Sequence, residues 1–249
     1  NLDGVNDLIT AESLEAFSNT GDRTLLDTFN VAPIRPEQVR TFEVGARTTI
    51  GDALFLDATY YYSFYDNFIG FNIGLDPTIS GPNIVTSQAF RVAANATDRV
   101  TTQGFSIGGN FYFGDYYTIN GNYSWNILNT QTEDPIIPAF NTPEHKYNIG
   151  ISGRDVPLSF GNVIVNDFGF SVAYKWVDGF IFEGSPQFTG FVDAYGLLDA
   201  QINFTARKIT TTIKIGASNI LDNQVFQVYG GPNIGRLAYI SATFNWEKR

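Results

Sequence analysis

His145 is the single histidine of this 249-residue chain, and it stands between Glu144 and Lys146. An imidazole beside a carboxylate can serve as a general base or a metal ligand. A transition-metal site needs several ligands at matched geometry, and with one histidine and no cysteine the chain has few to offer. His145 therefore reads as the first residue of a strand, and no metal site is expected. Asp3, Asn6 and Asp7 carry oxygen atoms of the kind that hold calcium. With Glu12, Glu15, Asp22 and Asp27 nearby, they read as part of a solvated acidic segment. The string GGPNIG at 230–235 has the glycines of a phosphate loop but neither the lysine nor the following helix, so it reads as a turn. Asp57 and Asp199 lie too far apart in sequence to make a credible catalytic pair and read as polar wall residues. No nucleophile, base and acid come together, so no catalytic residue, no cofactor and no enzyme is expected.

The elements that carry these residues are strands. In 100–127, VTTQGFSIGGNFYFGDYYTINGNYSWNI, two alternating runs flank a Gly114-Asp115 turn. Phe105, Ile107, Gly109, Phe111 and Phe113 point one way and Gly104, Ser106, Gly108, Asn110 and Tyr112 the other; the next run pairs Tyr117, Ile119, Gly121, Tyr123, Trp125 and Ile127 against Thr118, Asn120, Asn122, Ser124 and Asn126. Period-two alternation is a strand signal. Here the apolar set is aromatic and the polar set is Asn, Ser, Thr and Gly without charge. A soluble sheet has an apolar core face and a charged outer face; this pattern implies lipid outside and a polar lumen inside.

Composition fits that inversion. Charged residues make up 16% of the chain and aromatic residues 15%, against about 25% charged in soluble domains. Mean hydropathy is −0.07, and no run of about 18 apolar residues could form a spanning helix. A closed barrel needs no such run, because it pairs its backbone groups between strands. A net charge of −10 argues against a nucleic-acid partner.

Extending the alternation gives nine strands near 39–50, 54–65, 100–113, 116–127, 145–153, 164–176, 194–206, 211–220 and 237–246. Each has about the length a tilted membrane strand needs. Short turns at 51–53, 114–115 and 207–210, and a longer one near 154–163, alternate with long loops at 66–99, 128–144, 177–193 and 221–236. Outer-membrane barrels have short periplasmic turns and long extracellular loops, so the long loops define an upper, extracellular rim. Tyr60, Tyr62, Phe64, Tyr123, Trp125, Tyr147, Tyr174 and Trp176 fall near that rim, and Phe111, Phe113, Tyr117, Phe168, Phe204, Phe244 and Trp246 near the lower one. These are two aromatic girdles. Strand charges (Glu43, Arg47, Asp57, Lys175, Asp199, Lys214) fall on the lumen face. Residues 1–38 lie outside the alternation; Thr10 can cap a short helix with Leu14 and Phe17 on one face. They read as an extracellular loop region, and 39–249 as barrel. Nine strands are an odd number, whereas bacterial single-chain barrels have an even one, so the chain is expected to be the C-terminal part of something larger. On the lumen face near the upper rim stand Tyr65, Asn126, Lys146, Lys175, Tyr195 and Arg236. Their hydroxyl, amide and cationic groups can contact a ligand entering from outside or brace the loops.

Several strings resemble a known family in its own order. NVAPIRPEQVRTFEVGAR (30–47), NTPEHKYNIGIS (141–152), YGLLDAQINF (195–204), KIGASNILDNQVFQVYGGPNIGR (214–236) and YISATFNW (239–246) are similar to successive loops and strands of TonB-dependent outer-membrane receptors. The resemblance implies an all-β, antiparallel transmembrane β-barrel, with about nine C-terminal strands of a 22-stranded barrel plugged by an N-terminal domain. The plug and its TonB-contacting segment have no counterpart in this chain. Implied function is energy-coupled import of a scarce nutrient (siderophore, vitamin, oligosaccharide or peptide) across the outer membrane of a Gram-negative bacterium. Implied partners are outer-membrane lipid and, through the plug, TonB. Phe244 and Trp246 match the aromatic assembly signal of the last strand, although Glu247, Lys248 and Arg249 follow it. The alternatives are a structural barrel subunit of a multiprotein envelope complex, with lipoprotein or other envelope partners, and a passive pore.

Overall fold

A computed structural model describes residues 7–28, 32–129, 136, 140–160, 163–184, 188–206 and 209–244. The chain begins with a two-residue strand β1 (Ile9–Thr10), helix α1 (Ala11–Thr20) and a 3₁₀ turn at Arg23–Leu25. The first long strands are β2 (Gln38–Ile50) and β3 (Leu54–Asp66), followed by a hairpin of β4 (Ile69–Ser80) and β5 (Asn83–Asn95). Next come β6 (Val100–Phe113), β7 (Tyr117–Asn129), β8 (His145–Phe160) and β9 (Val163–Val177). A short hairpin, β10 (Phe180–Glu183) and β11 (Thr189–Val192), precedes β12 (Tyr195–Ala206), β13 (Thr211–Ser218) and β14 (Leu237–Phe244).

Nine of these strands form one antiparallel sheet in the order β14-β13-β12-β9-β8-β7-β6-β3-β2. It is an up-and-down meander with two insertions, because the β4–β5 and β10–β11 hairpins rise from its long-loop end without joining it. The nine strands expected from the alternation are these nine, with ends differing by a few residues. β8 and β9 run further than the alternation suggests, into the segment read as a turn near 154–163. The register shifts between Gly153 and Val156 and again before Leu158, and Asp155 has φ 53. These bulges break the period of two while the backbone ladder continues, so a pattern reading stops where the strand does not.

The pairing keeps the two residue sets on opposite faces from edge to edge. One row reads Val44, Tyr60, Phe105, Trp125 and His145 across β2, β3, β6, β7 and β8. Further along the sheet, Ile151, Val172, Ala200 and Ala217 continue an apolar row across β8, β9, β12 and β13. A one-residue slip at any pair would turn every later apolar side chain to the other face. Rings stack at both ends of this face: Tyr147 lies 5.5 Å from Trp176 near the long-loop end, and Phe113 lies 5.4 Å from Tyr117 near the short-turn end.

Among the described residues nothing packs on most of the apolar face. Phe42 is 66% exposed and Ile240 74%, whereas an ordinary monomer limits contiguous apolar surface to a few hundred Å². Three of the buried apolar side chains, Leu8, Leu14 and Phe17, belong to the N-terminal segment. Thr10 Oγ1 accepts a 3.3 Å bond from Ser13 N and caps α1; Leu14 and Phe17 are buried, as their shared helix face predicts. β1 pairs with β4 through Ile9 and Leu75, so residues read as a loop form a small docked unit on the β4–β5 hairpin.

The opposite face is a polar ladder. Arg47 Nε bonds Asp57 Oδ2 at 2.6 Å, Asn148 Nδ2 donates to Asn122 Oδ1 at 2.8 Å, and Tyr239 Oη donates to Gln201 Oε1 at 2.9 Å. Tyr61 Oη reaches over Gly104 to Asn126 Oδ1 at 2.9 Å. A β-carbon at 104 would lie 2.8 Å from both the Tyr61 ring and that oxygen, so the bond requires glycine there.

Ile119 belongs to the apolar set and Asn120 to the polar one. Ile119→Arg should therefore destabilise membrane-inserted folding by about 2 to 4 kcal/mol, while Asn120→Arg is tolerated. A folding titration in lipid vesicles that found the two variants equal would contradict this register.

Candidate functional site

Four of the six polar residues singled out near the upper rim form one patch. Ser124, Lys146, Val177 and Tyr195 make a single cross-strand row over β7, β8, β9 and β12. Lys175 lies in the next row, between Asn148 and Leu197, and Asn126 lies one row above, its backbone N–H bonded to Glu144 O at 2.9 Å. Tyr65 shares the face but sits on β3, separated from β7 by β6, with its ring edge-on to Phe68 at 5.4 Å. Arg236 stands apart. It precedes β14 in step with Ala238 and Ile240 of the apolar set, its N–H bonds Asp222 Oδ1 at 2.8 Å, and its guanidinium donates to Ile220 O at 3.3 Å. Arg236 braces a loop.

The groups with catalytic chemistry each have a partner within the wall or its loops. His145 Nδ1 is 2.7 Å from Tyr123 Oη, and Glu144 Oε1 accepts from Trp125 Nε1 at 3.0 Å. Asp57 is held by Arg47, and Asp199 Oδ1 accepts from Asn219 N at 2.8 Å. These two carboxylates are five strands apart in the sheet. Among the described residues no cluster of three His, Cys, Asp or Glu is placed to hold a metal. Asp3 and Asn6 lie outside the described residues, as does Trp246. Phe244 pairs with Thr211 at the short-turn end of the edge strand β14 and is 59% exposed.

Above the patch lies a cavity of 580 Å³ between the β10–β11 hairpin and the loop 219–236. The hairpin side contributes Phe188, Phe191 and Val192, and the loop Gln224, Val225, Phe226 and Tyr229. Asp193 and Tyr195 complete it at the foot of β12. Hairpin and loop interlock ring on glycine: a β-carbon at Gly190 would lie 2.3 Å from the Tyr229 ring, and one at Gly230 2.3 Å from the Phe188 ring. Asn219 anchors the loop base, donating through Nδ2 to Asn223 O at 2.7 Å and accepting from Asn223 N at 3.0 Å. Of the cavity residues, only Tyr195 is among the six expected from sequence. The signal that marks the rest is their place: aromatic side chains in long loops, where neither strand alternation nor a girdle requires them.

Glu183 ties the hairpin to its neighbour. Its backbone exchanges bonds of 2.7 and 3.1 Å with the Asn141 side chain, and burial raises its carboxyl above the ordinary range, with Arg91 opposing. Among the described residues Oε2 has no hydrogen-bond partner.

Comparison with known proteins agrees with this geometry. The family model "TonB dependent receptor-like, beta-barrel" matches residues 11–220. Among solved structures, the copper transporter OprC superposes with a TM-score of 0.63 at 14% identity, over 85% of this chain and 32% of its own. The siderophore receptor PirA from Acinetobacter baumannii gives 0.56 at 14% identity, over 85% and 32%. The FrpB iron transporter from Neisseria meningitidis gives 0.56 at 13% identity, over 86% and 31%. The chain thus spans about a third of the length of these structures. No curated protein sequence matches it. An aromatic outer face whose charges, Arg40 and Asp66, pair at its long-loop end, a polar inner face and long loops at one end define a barrel-wall segment of a membrane receptor. The chain belongs to the TonB-dependent receptor β-barrel family.

Two outcomes follow for the hairpin. Gly190→Ala should displace the Tyr229 ring and free the 221–236 loop, raising its rate of chymotryptic cleavage several-fold over wild type; unchanged cleavage would show that the ring-on-glycine contact does not hold the loop. Because the Glu183 carboxyl titrates above its unfolded value, ionisation disfavours the closed hairpin, and the loss grows as pH rises past the ordinary carboxylate range. Glu183→Gln should protect hairpin amides from hydrogen exchange more than wild type at pH 7 (about neutral) and equally in acid.

Proposed function

We propose that this chain is the C-terminal wall of a TonB-dependent receptor in the outer membrane of a Gram-negative bacterium, importing a scarce nutrient under energy supplied through TonB. The observation that carries this reading is the apolar face, exposed among the described residues and continuous over nine strands, together with the family match. On this proposal residues 1–38 and the long-loop end face outward and 39–249 is the barrel portion, its described strands running from β2 to β14. On this reading the polar patch lines the lumen, where the nutrient passes between barrel wall and plug. Similar structures carry the names of copper, iron and siderophore transporters and receptors, which puts a metal or its chelate, such as a siderophore, ahead of a vitamin, oligosaccharide or peptide.

Open edges bear on the same reading. β2 and β14 each pair on one side only among the described residues. In lipid an unpaired backbone group costs several kcal/mol, so further strands of the receptor meet both edges, toward a barrel of about 22 strands. The plug that reaches TonB belongs with those strands.

Growth competition tests import directly. Cells lacking this receptor should lose to wild type only in medium limited for one nutrient (iron, copper, a vitamin or a carbon source in turn), and loss of TonB should abolish the wild-type advantage. An advantage that survives without TonB would identify a passive pore. A defect in envelope integrity independent of nutrient would identify a structural subunit. In the same cells, replacing Phe244 and Trp246 together by Ala should lower the amount of receptor in the outer membrane, and normal abundance would show that these rings are no assembly signal.

A further inference from the structure

Resting on the import reading, we infer that the cavity between the β10–β11 hairpin and the 219–236 loop binds a cationic, apolar part of the nutrient: an amine or alkylated ammonium carried on a hydrocarbon or aromatic body. Size is the first support. A volume of 580 Å³ lies in the range of small-molecule sites, about 300 to 1,000 Å³. The composition of the wall is the second. Phe188, Phe191, Tyr195, Phe226 and Tyr229 give it five rings, and Phe188, Phe191 and Phe226 are each at least half exposed. These rings lie outside the girdles, so lipid does not explain their exposure. Ring faces are electron-rich and attract a cation placed over them.

Charge is the third support. Asp193 is the charged residue of the wall, and no Lys or Arg lines it among the described residues. Lys146 and Lys175 stand on the strand rows below and form no part of it. A phosphate, carboxylate or other anion would meet ring faces and a carboxylate together, whereas a cation is favoured by both. The chain's net charge of −10 adds a long-range field of the same sign. The interlock of Gly190 with Tyr229 and of Gly230 with Phe188 sets the walls before any ligand arrives, so little ordering entropy is lost on binding.

The test uses the intact receptor in detergent micelles at neutral pH and three probes that share one ring and differ in charge: benzylamine, benzyl alcohol and benzoate. Saturation-transfer NMR titrations should give benzylamine the highest affinity, about five- to tenfold above benzyl alcohol, with benzoate weakest. Asp193→Asn should narrow the gap between amine and alcohol, and Phe226→Ala should weaken both. Phe191→Leu keeps apolar volume while removing a ring, and should lower benzylamine affinity more than that of benzyl alcohol; it serves if Phe226→Ala fails to assemble. Benzoate binding as well as benzylamine, or an unchanged amine preference in Asp193→Asn, would overturn the inference. The binding assay needs no TonB. Import without probe selectivity would remove the pocket assignment alone, and probe selectivity in a receptor whose loss never affects growth would remove the import reading alone.

Discussion

The structure depends on one constraint: every backbone amide of the wall must be paired along an unbroken antiparallel ladder while the same side-chain set stays on the same face. In lipid there is no water to satisfy a missed bond. Register therefore matters at each of the eight interfaces of the nine-stranded sheet, and outside the bulges of β8, β9 and β12 the pairs hold one parity from β2 to β14. Bulges enter where β8 and β9 approach the short-turn end, away from the middle of the wall.

With the apolar face given over to the surroundings, specificity moves to the other face and to the loops. Short polar side chains bond across strands, and glycine makes room where a tyrosine must lie flat over its neighbour, as Tyr61 does over Gly104. Such contacts tie neighbouring strands together on the polar face. Buried apolar side chains are few: Leu14 and Phe17 of α1 and Val192 beside the cavity belong to units raised above the sheet, and Val100, Val156 and Val177 lie on its strands.

The long-loop end is thus the part with real tertiary packing. The N-terminal helix is docked on the β4–β5 hairpin, and the β10–β11 hairpin is locked to the 219–236 loop by two rings seated on two glycines. Loops placed by a rigid scaffold are where binding residues concentrate. The cavity and the patch of Asn126, Lys146, Lys175 and Tyr195 meet at Tyr195, so one side chain joins wall to rim.

What the sequence determined by itself was the wall. Alternation is a local property with a period of two, and where one face must be free of charge it identifies strands, faces and girdles without knowledge of partners. The capped helix at Thr10 was legible for the same reason, since its cap and buried pair lie within one short segment. The hairpins in 66–99 and 177–193 were not: their strands face other loops, and their residues lack a clean polarity contrast. For Arg236 the sequence left ligand contact and loop bracing both open, because its bonds to residues 220 and 222 arise only when the loop closes. The cavity was decided by tertiary structure alone, because Phe188 and Phe226 are 38 positions apart and share a wall only once hairpin and loop interlock.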